Sequence, residues 1–156
     1  NPLWIDMVCD KETFVQIAEH IRPAIHQLTI EDCLTEDCRE KLEIFKNYLF
    51  ICLKTSSSTA LRRRDREYLR EQQRQQRGQQ SDALPHNINL LIFKTMIITY
   101  HLGNAITSKV VSDCRYILNK KFSNIVPSPS WVCHTIIDNV IDKMMPEVES
   151  TVREVE

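Results

Sequence analysis

Residues 88–102 read INLLIFKTMIITYHL, and the assignment of this stretch decides the fold. Ten of the fifteen residues are apolar, and the polar remainder includes only a narrow strip at Lys94, Thr95 and His101. Its wealth of Ile and Thr suits a β-strand. Its length argues otherwise. The apolar spacing continues through Ala105, Ile106, Val110, Cys114, Ile117 and Leu118 to about Lys121, with Gly103-Asn104 as an end or an interruption. A pattern sustained that long without a turn signal exceeds the usual strand and favours a helix. A helix apolar nearly all round belongs at the centre of a domain.

Glycine usage points the same way. Gly78 and Gly103 are the only two glycines among 156 residues. Glycine serves the positive-φ turns of hairpins and the close backbone approach of phosphate loops. Neither a dinucleotide fingerprint nor a P-loop can be written with so few. The expectation is an all-α fold, a single irregular bundle of four to five helices spanning 1–156.

Working outward, residues 1–9 form an apolar arm ahead of Asp10, a candidate N-cap. The helix it opens carries Phe14, Ile17, Ile21, Ile25 and Leu28, with a break near Arg22 imposed by Pro23. Thr35 is read as the cap of a second helix with Leu42, Phe45, Leu49 and Cys52 on its inner stripe. Pro127-Ser128-Pro129 is a rigid connector, and Ser130 is read as the cap of a last helix facing Ile136, Ile137, Val140, Ile141, Met144 and Met145 inward. Trp131 is expected to staple that helix to the core. Pro146 stops it or begins an acidic tail over 146–156.

Residues 57–87 differ in kind and are read as a polar insertion and linker. Seven arginines against three acids give residues 60–80 a charge of +4, which leaves −5 on the rest of a chain whose net charge is −1. Arg62, Arg66, Arg70 and Arg74 recur at steps of four, and Arg77 follows at three, so on a helix all five share one side. Such a row suits phosphates or an acidic partner. The bland alternative is a solvated insertion.

No catalytic signature is present, and no cofactor motif. Cys33 and Cys38 are spaced one residue wider than a metal knuckle usually prefers, and no second close pair follows, so no metal site is expected. Six cysteines, four of them in apolar runs, read as buried free thiols of a reducing compartment. The chain starts at Asn1 without a signal pattern, which reads as a piece of a longer protein.

The function expected from these features is non-enzymatic: a scaffold or adaptor domain of a larger regulatory protein, nuclear or cytoplasmic. Its partner is another protein, docked through Leu3, Trp4 and Ile5 of the apolar arm. One alternative is a nucleic-acid-binding domain using Arg62, Arg66, Arg70, Arg74 and Arg77. A second is a secreted four-helix signalling bundle. No membrane partner is expected, because no run of 18 apolar residues occurs.

Overall fold

In a computed structural model, which describes residues 3–36, 38–55, 87–123 and 126–155, the chain forms a five-stranded mixed sheet with helices on both faces. The order along the chain is β1 (Leu3–Val8), α1 (Lys11–Ala18), α2 (Gln27–Leu34), β2 (Lys41–Ile44), β3 (Tyr48–Lys54), β4 (Asn87–Phe93), β5 (Met96–His101), α3 (Ala105–Lys121) and α4 (Pro129–Val155). In space the strands run β1-β5-β4-β3-β2. β1 is parallel to β5, and the other neighbours are antiparallel.

The expectation of an all-α bundle is therefore wrong, and the error lies in the stretch that decided it. Residues 88–102 are not one helix but the greater part of the β4–β5 hairpin, turned at exposed Lys94 and Thr95, with Ile92 opposite Ile97. Both strands are covered on both faces. They read as continuous apolar runs rather than alternating ones, and periodicity cannot separate such runs from a buried helix.

The second helix is corrected in the same way. Residues 41–54 are the β2–β3 hairpin, closed by a hydrogen bond from Phe45 N–H to the Tyr48 carbonyl (2.9 Å). Leu49 and Cys52, read as one stripe, project to opposite sides of the sheet. The apolar arm is a third correction in form, since it is β1, the parallel edge strand.

Alternation sorts the side chains into two cores. Ile5, Met7, Tyr48, Phe50, Cys52, Leu91, Phe93, Ile98 and Tyr100 meet α1 and α2 through Phe14, Ala18, Ile30 and Cys33. Trp4, Leu49, Ile51, Ile88, Leu90, Ile92 and Ile97 meet α3 and α4 through Val110, Cys114, Leu118, Val132, Ile136 and Val140.

The helix starts follow local chemistry. The Asp10 carboxylate accepts from Thr13 N–H at 2.9 Å, so the expected cap is present. Asn104 caps α3, its side-chain oxygen accepting from Thr107 N–H at 2.9 Å. α3 ends at Lys121, where the spacing placed it. Ser128, not Ser130, accepts at the start of α4 (Trp131 N–H, 3.3 Å). Pro146 lies inside α4, and the helix runs on to Val155 through residues read as a tail. Trp131 is half-exposed and packs edge-on to Phe122 at 5.6 Å.

Candidate functional site

The buried polar side chains Thr99, His101 and Thr107 gather where β1, β5 and the first turn of α3 meet. Trp4, Asp6, Thr99 and His101 all project to the α3–α4 side, because Trp4 and Asp6 alternate with Ile5 and Met7, and Thr99 and His101 with Ile98 and Tyr100. The parallel register puts Asp6 beside Thr99 and Val8 beside His101. A hydrogen-bonded chain follows. Trp4 Nε1 donates to Thr99 Oγ1 (3.1 Å), and Thr99 Oγ1 donates to Asp6 Oδ1 (2.6 Å). The same Asp6 oxygen lies 3.3 Å from His101 Nε2, a buried nitrogen with no hydrogen-bond partner. On the surface side, the Arg115 guanidinium stacks 4.5 Å from the Trp4 ring centre.

His101 is fully buried, and its other nitrogen is fixed by backbone. Gly103 N–H donates to Nδ1 at 3.1 Å, so the proton of the neutral ring sits on Nε2. Thr107 Oγ1 lies 3.0 Å from the same Nδ1. Burial pushes the Asp6 carboxyl up, but the contacts with His101 and Thr99 and the charge of Arg115 outweigh it, and its pKa lies below the ordinary carboxylate value. The seam can therefore hold a fixed negative charge beside a buried imidazole.

Among the described residues, Gly103 is the position where glycine is required. Its φ is +79°, and a Cβ there would lie 2.5 Å from Val8 Cγ1.

A second polar group lies under α2. Cys52, Asn89 and Tyr100 stand in register across β3, β4 and β5, facing the buried Cys33. The Asn89 Oδ1 and Tyr100 hydroxyl atoms are buried and unpartnered. Desolvation raises the Cys33 thiol well above its ordinary range and pushes Cys52 up to about 12. Thiols held neutral in this way are poor nucleophiles. All six cysteines are free. Among the described residues, no group of three or more His, Cys, Asp or Glu side chains is arranged to hold a metal ion.

The residues singled out in the sequence fall as follows. Leu3, Trp4 and Ile5 are consecutive in β1: Trp4 packs into the α3–α4 core, Ile5 into the α1–α2 core, and Leu3 stays exposed. Arg62, Arg66, Arg70, Arg74 and Arg77, with nearly all of the 57–87 insertion, lie outside the described residues. The sequence reading missed Asp6, Thr99 and His101 as a unit, because they are 93 and 95 positions apart along the chain and a strand pairing brings them together. Ile141 and Met145, expected to face inward, are exposed instead, and with Val148 and Val152 they form an apolar stripe along α4, spaced four, three and four.

The architecture is a sheet between a short helix pair and a long one. It is similar in fold to the full-length CmaX protein, with a TM-score of 0.61 at 12% identity over 97% of this chain and 39% of that one. Nearly the whole chain also aligns with two proteins of Saccharomyces cerevisiae. It is 26% identical over 154 residues to the magnesium transporter ALR1 and 24% identical over 151 residues to the magnesium transporter ALR2. Each alignment covers 94% of this chain and 15% of the relative, so the chain spans a small part of the proteins it matches. No protein-family model matches.

These likenesses overturn the functional expectation. Relatives named as transporters conflict with a nuclear or cytoplasmic scaffold that binds a protein or nucleic acid and has no membrane partner. They conflict equally with a secreted bundle. Among the described residues, no helix is long and apolar enough to cross a membrane.

Proposed function

We propose that this chain is a sheet-and-helix domain of a divalent metal ion transporter, with magnesium as the cargo to test first. The domain carries out no covalent chemistry of its own. The observation that carries this reading is the alignment of 94% of the chain, sheet and helices together, with two magnesium transporters. The similarity in fold to CmaX is consistent with it.

Within such a protein the domain acts as a rigid support for α4. That helix has 27 residues and extends about 40 Å. Its first half is anchored on the sheet by Val132, Ile136 and Val140. Its second half presents Ile141, Met145, Val148 and Val152 outward, a stripe suited to packing against another helix of the same protein. Lys143 ties α4 to α3 through Asp113 (2.9 Å), and Lys109 grips the same carboxylate at 2.6 Å.

The test is expression of the protein containing this chain in yeast lacking both ALR1 and ALR2. The expected result is restored growth at limiting magnesium, together with uptake of magnesium into vesicles prepared from those cells. Absence of growth and of uptake, with the protein present in the membrane fraction by immunoblot, overturns the reading.

A further inference from the structure

The arginine row of the insertion has an acidic counterpart on α4. Asp138, Asp142 and Glu149 are exposed and stand at i, i+4 and i+11, which places them in one row along the helix. The apolar stripe of Ile141, Met145, Val148 and Val152 runs beside that row. Lys143 is engaged by Asp113, and Arg153 closes the row one turn past Glu149.

The insertion carries the matching pattern. On a helix over 60–77, Leu61 and Tyr68 fall on one line, seven residues apart, beside Arg62, Arg66 and Arg70. Met145 and Val152 of the stripe have the same separation. Residues 60–80 carry +4 and the rest of the chain −5.

Residues 56–86 lie outside the described residues, so their place is inferred from their two ends. The chain leaves β3 after Lys54 and rejoins β4 at Asn87, and these two residues are paired across the sheet. Asn89 pairs with Tyr100, so this is the end of the sheet at which β5 stops and α3 begins. α4 runs antiparallel to α3: Trp131 meets Phe122 at the end of α3, and Lys143 meets Asp113 near its middle. Beyond Lys143, α4 therefore returns toward the end of the sheet where the insertion starts and finishes. The spans also close. A helix over 60–77 extends about 27 Å. Residues 78–86 reach about 30 Å when extended, enough to bring the chain back to Asn87.

We propose that the second half of α4 is the docking surface for the chain's own residues 60–77, with Leu61 and Tyr68 on the apolar stripe and the arginine row on Asp138, Asp142 and Glu149. Exposed ion pairs are individually weak, but the tether holds the segment at a high effective concentration, so a weak contact suffices. The inference rests on the reading of the α4 stripe as a helix-packing surface and not on the transport of any ion.

Trypsin cleavage after Arg62, Arg66, Arg70 and Arg74 in the whole chain, timed against a synthetic peptide of residues 57–81 in the same buffer, tests it. Cleavage in the chain is expected to be slower than in the peptide by roughly tenfold or more. Addition of about 0.5 M salt, or Asp138→Asn with Asp142→Asn and Glu149→Gln, is expected to bring the two rates together. Met145→Glu, which keeps the acids and breaks the stripe, should do the same. All four positions are exposed, so the variants keep the fold, which circular dichroism verifies. The salt arm needs no variant. Equal rates in chain and peptide, or protection that survives the salt or either variant, overturn the docking. Protection that appears only at high chain concentration means that a second copy covers the stripe, and overturns it too. Magnesium uptake does not enter the measurement, so failure of the transport reading leaves its result standing.

Discussion

The two faces of the sheet are covered by different means. On one, two helices of eight residues each lie on aromatic rings and thiols: Phe14 stacks on Tyr100 with ring centres 3.9 Å apart, and Tyr48 stacks on Phe45 at 4.8 Å. On the other, helices of 17 and 27 residues lie on Ile, Leu and Val. Short helices bury little by themselves, so the first face relies on large planar groups and on polar clamps. The Tyr48 hydroxyl takes His26 N–H (2.9 Å) and contacts Thr29 Oγ1 (2.8 Å), and Asn87 Nδ2 donates to the Glu36 carbonyl (3.1 Å), which fixes both ends of α2. The long helices are joined to each other by the Lys109–Asp113–Lys143 group, and α3 meets β1 through the polar seam at the sheet edge.

The comparison can be broken most directly by a buried charge. Ile97→Asp places an unpaired carboxylate in the α3–α4 core, where Ile97 is 0% exposed. The expected cost exceeds about 4 kcal/mol, a large part of the total stability of a domain. Circular dichroism should show loss of the cooperative transition, and a normal melt would mean that this face is not a core.

Phe14→Ala removes the ring on which the short-helix face depends, and the expected loss is about 3–5 kcal/mol in urea titration. Ile136→Val on the other face should cost only about 0.5–1.5 kcal/mol. Equal losses would erase the distinction between an aromatic face and a distributed aliphatic one.

Gly103→Ala should cost on the order of 2 kcal/mol from positive φ and the approach to Val8. Adding Val8→Ala should recover the steric part and leave the backbone part, about 1 kcal/mol. A double variant no better than the single one would show that the backbone angle alone sets the cost.

Asp113→Asn separates α3–α4 ion pairing from packing. Burial raises the Asp113 pKa, but Lys109 and Lys143 bring it below the ordinary carboxylate value. A carboxylate with a lowered folded-state pKa stabilises above its unfolded pKa, and that stabilisation is lost as pH falls through the folded value. The variant should be less stable than the parent by about 0.5–1 kcal/mol at pH 7, since the pair is partly solvated. Below the carboxylate range the two should melt together.

Ile44→Ser is the smallest expected change. Ile44 is 81% exposed on edge strand β2, and substitution should move stability by less than about 0.5 kcal/mol. A larger loss would mean that the open end of the α3–α4 face is covered.

Legibility in the sequence followed the range of the interactions. Asp10 as a cap, the end of α3 at Lys121 and the break at Pro23 were readable, because each depends on atoms three or four residues apart. The sparse glycine was read too strongly. Among the described residues, the sheet uses two tight hairpins, turned at Lys46-Asn47 and at Lys94-Thr95, and neither contains glycine. The site was the least readable part: Asp6 gives no signal beyond an acid in an apolar arm, and His101 none beyond a polar residue in an apolar run.

By itself the sequence determined the Asp10 cap, the end of α3 at Lys121, the apolar face of the first half of α4 and the exclusion of phosphate-loop motifs. Only the tertiary structure decided that residues 3–8, 41–54 and 87–101 are strands, and that Asp6, Thr99 and His101 form one seam. The physical reason is the partner each element needs. A helix satisfies its backbone within its own segment, so local residues announce it. A strand satisfies its backbone on another strand, and here β1 waits for β5, with Asp6 and Thr99 separated by 93 positions.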